Sequence, residues 1–261
     1  MSVHHQRMPV VFVGHGNPMN AIEANDFHAS WRQLGRSLPQ PKAVLCISAH
    51  WETDGVSVTA GARPETIHDF HGFPRQLFEV QYPAPGKPGL ARRTAALLTD
   101  TDVRLDDERG LDHGAWSVLA PMYPKADVPV VQLSLDSRQS PEFHYRLGKG
   151  LAPLREEGIL ILASGNIVHN LRLLNYRDPT PPAWAMEADR EIRARIDAGD
   201  HSALIDYESL GEAVRQGIPT NEHFLPLLYA LALRQGHDAL DYFNTTVWGS
   251  ISMTSFVLNP R

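Results

Sequence analysis

The 261-residue chain contains a single cysteine, Cys46. A lone thiol excludes an internal disulfide and any thiolate metal cluster. Set inside the apolar run 43–49, it reads as a small buried hydrophobe rather than a nucleophile. No apolar run approaches the roughly 18 residues of a spanning helix, and residues 1–7 carry no apolar signal core. The expectation is a cytoplasmic protein with no membrane partner, residues 1–8 forming a flexible N-terminus. Basic residues are also in short supply: 24 Lys and Arg stand against 30 Asp and Glu, a formal charge of -6. Nucleic-acid surfaces normally need the opposite balance, so no nucleic-acid partner is expected. His-Glu-x-x-His, a phosphate-cradling Gly-rich loop and a Gly-x-Ser-x-Gly elbow are all missing. Ser164, in Ala163-Ser164-Gly165-Asn166, therefore lacks the setting of a hydrolase nucleophile.

What is present is alternation. Apolar runs at 9–13, 43–49, 56–59, 130–135, 159–163 and 251–258 read as strands, with helical patterns at 24–38, 90–98, 142–155 and 223–233. Strands alternating with helices predict an α/β fold with a mostly parallel, mixed central sheet and helices on both faces. Neither repeats nor a Ser-rich linker divide the chain, so 1–261 reads as one domain. Two long loops, 61–88 and 106–116, interrupt the pattern. They are rich in His and aromatics, which suits the walls of a site better than disorder.

Four of the 13 histidines stand where chemistry is expected. His15 lies in Val13-Gly14-His15-Gly16-Asn17-Pro18, just past the first strand. His50 follows the strand 43–49, and His169 follows Ser164-Gly165-Asn166. His223 opens an apolar helix beside Glu222. Ligands of open α/β sheets bind at the C-terminal strand edge, and imidazole is a common ligand for Zn and Fe. Each histidine alone could be a cap or a satisfied core residue; together they point to a metalloenzyme. His169 is expected in the first turn of a helix, whose positive potential favours neutral imidazole. Either Glu222 or His223 could face the site. His113 is an acid/base candidate, and His68 and His71 belong to a loop that could line a pocket.

Taken in order, seven segments resemble the DOPA extradiol dioxygenase family. They are Gly14-His15-Gly16-Asn17-Pro18, Ser48-Ala49-His50-Trp51, Thr66-Ile67-His68-Asp69-Phe70, Tyr82-Pro83-Ala84-Pro85-Gly86, Asp112-His113-Gly114-Ala115-Trp116, Ala163 to Asn170, and Glu222-His223-Phe224-Leu225-Pro226-Leu227. The family belongs to the class III extradiol ring-cleaving dioxygenases, with protocatechuate-cleaving enzymes as relatives. The resemblance implies one divalent metal ion on His15, His50 and a third ligand from Glu222-His223. That third ligand is a carboxylate in the protocatechuate-cleaving relatives and His223 in the DOPA-type branch. Proteins of that branch are described as zinc-containing, and there His169 is also counted as a metal ligand. In the ferrous enzymes His169 matches the acid/base histidine, with His113 beside the substrate hydroxyl. Trp51, His68 and Phe70 are expected to contact substrate. The implied reaction opens a catechol such as DOPA with O2 to a semialdehyde. Fe(II) suits it, whereas Zn(II) has no second oxidation state to offer. The competing readings are a zinc hydrolase with Glu222 as base and a non-catalytic interaction protein. A homo-oligomer is compatible with the sequence.

Overall fold

The computed structural model describes residues 7–261. In chain order the strands are β1 (Val10–Gly14), β2 (Ala43–Thr53), β3 (Val56–Thr59), β4 (Val103–Asp106), β5 (Val130–Asp136), β6 (Ile159–Gly165), β7 (Ala239–Asn244), β8 (Val247–Trp248), β9 (Ile251–Ser252) and β10 (Ser255–Asn259). All but β8 and β9 join one sheet in the order β4-β3-β5-β2-β6-β1-β10-β7. The central strands β5, β2, β6 and β1 run parallel. β10 pairs antiparallel with β1 and β7, and β3 antiparallel with β5. The sheet is therefore mixed around a parallel centre, as expected. β8 and β9 form a separate antiparallel pair.

The helices are α1 (Asp26–Ser37), α2 (Arg75–Phe78), α3 (Pro88–Leu97), α4 (His113–Met122), α5 (Pro141–Gly150), α6 (Ala152–Glu156), α7 (Ala183–Ala198), α8 (His201–Ile205), α9 (Glu212–Gly217) and α10 (Leu225–Ala232). Strand alternation divides the core between the two faces. Val11, Val13, Val44, Cys46 and Leu162 pack with Trp31 of α1 and Trp116 and Leu119 of α4. Val10, Phe12, Leu45, Ile47 and Ile161 face the opposite way, toward α3 and α5 to α10. Both faces are covered, which explains why β2, β5 and β6 read as continuous apolar runs. Among the described residues no helix is long and apolar enough to cross a membrane.

Several boundaries differ from the sequence reading. The helix expected over 142–155 divides into α5 and α6 at Leu151, with Pro153, which has no N–H to donate, placed in the first turn of α6. The strand expected over 251–258 divides into β9 and β10, which pair with different partners. α7 escapes the apolar-run reading because its buried face is made largely of small residues, Ala185 and Ala188 with Ile192 and Ile196, among charges. Of the segment expected to be flexible, residues 1–6 lie outside the described residues. Arg7 and Met8 are held: Arg7 bonds Gln235 and Asp238, and Met8 N donates to Arg155 O at 2.9 Å.

Arg155 is the clasp of this end of the sheet. Its fully buried guanidinium donates to Met8 O, Leu233 O and Asp238 Oδ2 at 2.7–2.8 Å. Removing the acid leaves a buried cation without its counter-charge, which costs about 3–5 kcal/mol. Asp238→Ala is expected to lower unfolding free energy by that amount in urea titration; a loss below 1 kcal/mol contradicts this account.

Candidate active site

The site forms where β1 and β6 end beside β2, which runs on past them to Thr53, at the C-terminal edge of the parallel centre, with Gly14 opposite Gly165 and Ser48 opposite Ser164. His15 follows β1 directly, and its N–H donates to Gly165 O at 3.1 Å. Gly165 needs its missing side chain: a Cβ there would lie 2.1 Å from His223 O. That close approach lets Asn166 N donate to His223 O at 2.8 Å, docking the His223 segment on the strand end. His50 lies within β2 rather than beyond it, in the stretch between Ile47 and Glu52 where pairing with β5 is interrupted. His113 is the first residue of α4, whose N-cap is Asp112. Asp112 is buried and accepts from Ser48 Oγ, Ala115 N and Gln132 Nε2 at 2.7–3.1 Å.

These elements gather five imidazoles. His15 Nε2 and His50 Nε2 lie 3.0 Å apart. One ligand nitrogen from each of His15, His50 and His223 falls within 4.8 Å of the others. The opposite ring nitrogens have partners that define tautomers. The Ser164 hydroxyl donates to Gly114 O at 2.6 Å, so it accepts from His15 Nδ1, 3.0 Å away. His223 Nδ1 donates to Glu222 Oε1 at 2.9 Å. In both rings Nε2 is left as the free lone pair. Such outer partners orient metal-binding histidines.

His169 stands differently. Its ring stacks on His223, centroids 3.5 Å apart and planes 11° apart, and it groups with Glu222 and His223 rather than with His15 and His50. It is not in a helix: it bridges to Ile251 and precedes a short 3-10 turn, Leu171–Leu173. The expected helix potential is therefore absent, and burial is the main force holding the ring neutral, down to about 2. Burial likewise lowers His15, His50 and His223, for His15 and His50 reinforced by the other imidazoles and for His223 against the pull of Glu222. Burial would raise Glu222, yet the hydrogen bond and charge of His223 together with hydrogen bonds from Thr220 and the backbone outweigh it and bring the carboxyl to about 2. Asp69 lies 3.0 Å from His113 Nδ1, accepts from His113 N, and sits 3.8 Å from His50 Nδ1. Against burial, the contact with His113 lowers Asp69.

A cavity of about 310 Å³ opens above these rings, within the range of small-ligand pockets. The loop 61–88 supplies Asp69, Phe70, His71 and Phe73 to its wall. The other loop ends at Asp112, because α4 begins at His113, which also lines the cavity. Two of the expected substrate contacts are elsewhere. Trp51 follows His50 on the strand and so points to the other face, buried with the Arg109 guanidinium 5.5 Å from its ring centre. His68 Nε2 bonds Val80 O at 3.0 Å and sits edge-on to Phe70 and Trp116, outside the wall. Phe70 is on the wall. Sequence reasoning missed Leu171, Leu174, Tyr176, Trp248 and Ile251, which line the opposite side. No local pattern marks them, since they reach the cavity only through the β8–β9 pair and the turn after His169.

The family model described as the catalytic LigB subunit of aromatic ring-opening dioxygenase matches residues 4–255, and the chain belongs to that family. It is 45% identical over 255 residues to a 4,5-DOPA dioxygenase extradiol of Escherichia coli K12, covering 95% of this chain and 94% of that one. A protein of the same name from Beta vulgaris is 42% identical over 233 residues, 84% of each. A crystal structure of an uncharacterized protein from Escherichia coli K12 superposes with a TM-score of 0.85 at 41% identity, covering 97% of this chain and all of the other.

Depressed histidines carry a pH signature. Below pH 6.5 the unfolded chain binds protons that the folded imidazoles refuse, so stability present above that pH is lost on acidification. The loss continues toward the folded values, about 4 for His144 on the far face of the sheet and about 2 for His169. Each such histidine contributes about 1.4 kcal/mol per pH unit. In chelator, the urea midpoint is expected to fall clearly between pH 7.5 and 5.5. An unchanged midpoint contradicts burial of neutral rings.

Proposed function

We propose that this protein is a cytoplasmic enzyme that opens the ring of a catechol with O2, using one divalent metal ion held by His15, His50 and His223, and that the working ion is Fe(II). The observation that carries the reading is the pair of Nε2 atoms 3.0 Å apart, one of them, on His15, bared by Ser164. His15 and His50, with His223 within reach, would hold one ion between their ring nitrogens. The donor set is neutral imidazole throughout, which suits Fe(II), Zn(II) and similar ions. A ferrous ion held there would supply the redox chemistry of ring opening with O2, which Zn(II), with no second oxidation state, would not.

The chain's own residues then have distinct work. Phe70, Phe73 and Trp248 flank the space over the imidazoles and hold the aromatic ring. His169, neutral and stacked beside His223, is placed to take a proton from a catechol hydroxyl and return it later. Catecholate charge beside it favours its protonated form. His113, with Asp69 3.0 Å from its Nδ1, lines the cavity where a substrate oxygen would meet its ring. Glu222 is occupied by His223 Nδ1, which speaks against the zinc-hydrolase reading with Glu222 as free base.

Anaerobic Fe(II) loading followed by catechol and air tests the reaction: a yellow ring-opened product is expected. Zn-dependent ester or amide cleavage without ring opening contradicts it. His15→Ala and His50→Ala are expected to abolish metal binding. Ser164→Ala, which frees the His15 tautomer, is expected to weaken it about 10–100-fold. His169→Ala should lower turnover about 10²–10⁴-fold with metal affinity nearly unchanged; an unchanged rate removes its proton role.

A further inference from the structure

Asp189 occupies a core position on α7, on the face it shares with Ala185, Ala188, Ile192 and Ile196, and it does not line the cavity over the imidazoles. A carboxylate buried on an apolar face is costly unless donors meet it. Here they do. Asp189 Oδ1 accepts from Ser252 Oγ at 2.6 Å and from Thr254 Oγ1 at 2.7 Å, and Oδ2 pairs with Arg193 Nε at 3.0 Å, one turn along the helix. Ser252 Oγ in turn accepts from Thr254 N at 3.1 Å. The carboxylate therefore fixes the stretch that joins β9 to β10. That stretch pairs with the chain around His169, whose bridge partner is Ile251. On either side, Ser252 N donates to Val168 O at 2.9 Å and Asn170 N to Ser250 O at 3.1 Å. Two side chains reinforce the pairing: Asn166 Nδ2 donates to Ser252 O at 2.8 Å, and Ser250 Oγ to Asn170 O at 2.6 Å.

We propose that Asp189 is a positioning residue for His169: through Ser252 it fixes residues 250–252, and these set where the His169 ring stands over the cavity. The proposal rests on the proton role given to His169 above. The other histidines have anchors on their rings, His15 Nδ1 on Ser164 Oγ and His223 Nδ1 on Glu222. Among the described residues the His169 ring makes no hydrogen bond; it stacks on His223, and its backbone decides the rest. Apart from the pairing with 250–252, that backbone has one hold, His169 N on Gly217 O at 2.8 Å. A misplacement of about 1 Å at a reacting group costs on the order of 10²-fold in rate, so the anchor of residues 250–252 bears on turnover although it touches no substrate.

Two variants test this. Ser252→Ala cuts the link yet leaves Asp189 paired with Thr254 and Arg193, so no buried charge is stranded; Asp189→Ala removes the anchor itself. In Zn(II)-loaded protein labelled with 15N-histidine, the ring signal that disappears in His169→Ala is expected to shift or broaden in both variants, with the metal-bound ring signals in place. Zn(II) affinity is expected to fall by much less than the about tenfold that loss of an outer partner costs a ligand histidine. After Fe(II) loading, kcat on catechol is expected to fall about tenfold or more with KM changed far less. Ser252→Ala added to His169→Ala is expected to cost nothing further, because both act through one ring. A His169 signal unmoved in the variants overturns the proposal, as does a loss of turnover that adds in full to that of His169→Ala. Should Asp189→Ala fail to fold, Ser252→Ala decides alone. A displaced His169 signal in a protein that opens no catechol ring keeps the positioning of His169 by Asp189 and overturns the proposed reaction.

Discussion

The arrangement of the site depends on one buried carboxylate. Asp112 has no access to water, yet it sits among groups that fold back on it: the Ser48 hydroxyl from β2, the Gln132 amide from β5 and the first turn of α4. Burial pushes its carboxyl up, Asp69 adds to that, and the Ser48 and Gln132 hydrogen bonds oppose it. A buried acceptor left without donors is costly, so these three elements are bound to a common geometry. Gly114, two residues on, packs where any Cβ would lie 2.3 Å from Ser48 Oγ. Its carbonyl then receives the Ser164 hydroxyl from β6, and Ser164 in turn receives His15 Nδ1. One chain of polar contacts thus sets the position of His15 directly, His113 by adjacency and His50 two residues past Ser48.

The second constraint is electrostatic. His15, His50, His169 and His223 crowd a region where burial penalises each proton and neighbouring rings penalise the next. Dispersed protons are refused, whereas under the proposed reading a single cation on lone pairs turned inward would satisfy several rings at once. Glu222 and Asp69 complete the balance from behind, each against a ring nitrogen that faces away from the cluster or across it. Under the proposed reading, the same crowding that keeps His169 neutral makes it ready to accept a proton once an anionic substrate arrives.

Much of this was legible along the chain. His15, His50, His169 and His223 stand out because small residues and strand ends surround them, and the structure brings all four to one edge with His113. The α/β alternation and the parallel centre follow from runs such as 43–49 and 159–163. Other parts left no local mark. Trp51 sits beside His50 in sequence yet points to the opposite face, because strand residues alternate. His68 shares a loop with Phe70 yet serves as its support. Ser164, without the setting of a nucleophile, proves to be the acceptor that defines the His15 tautomer.

By itself, the sequence determined the fold class and the chemical character of the site, because hydrophobic period and residue type are local properties. Only the tertiary structure decided which ring nitrogens face one another and which carboxylate backs which imidazole. It also decided that Leu171, Tyr176 and Trp248 close the far wall. Those relations join residues up to about two hundred positions apart, and they arise from strand register and from backbone approaches that only Gly114 and Gly165 allow. The proposed ring-opening chemistry rests on the histidines, and the shape that would select a substrate lies in the packing around them.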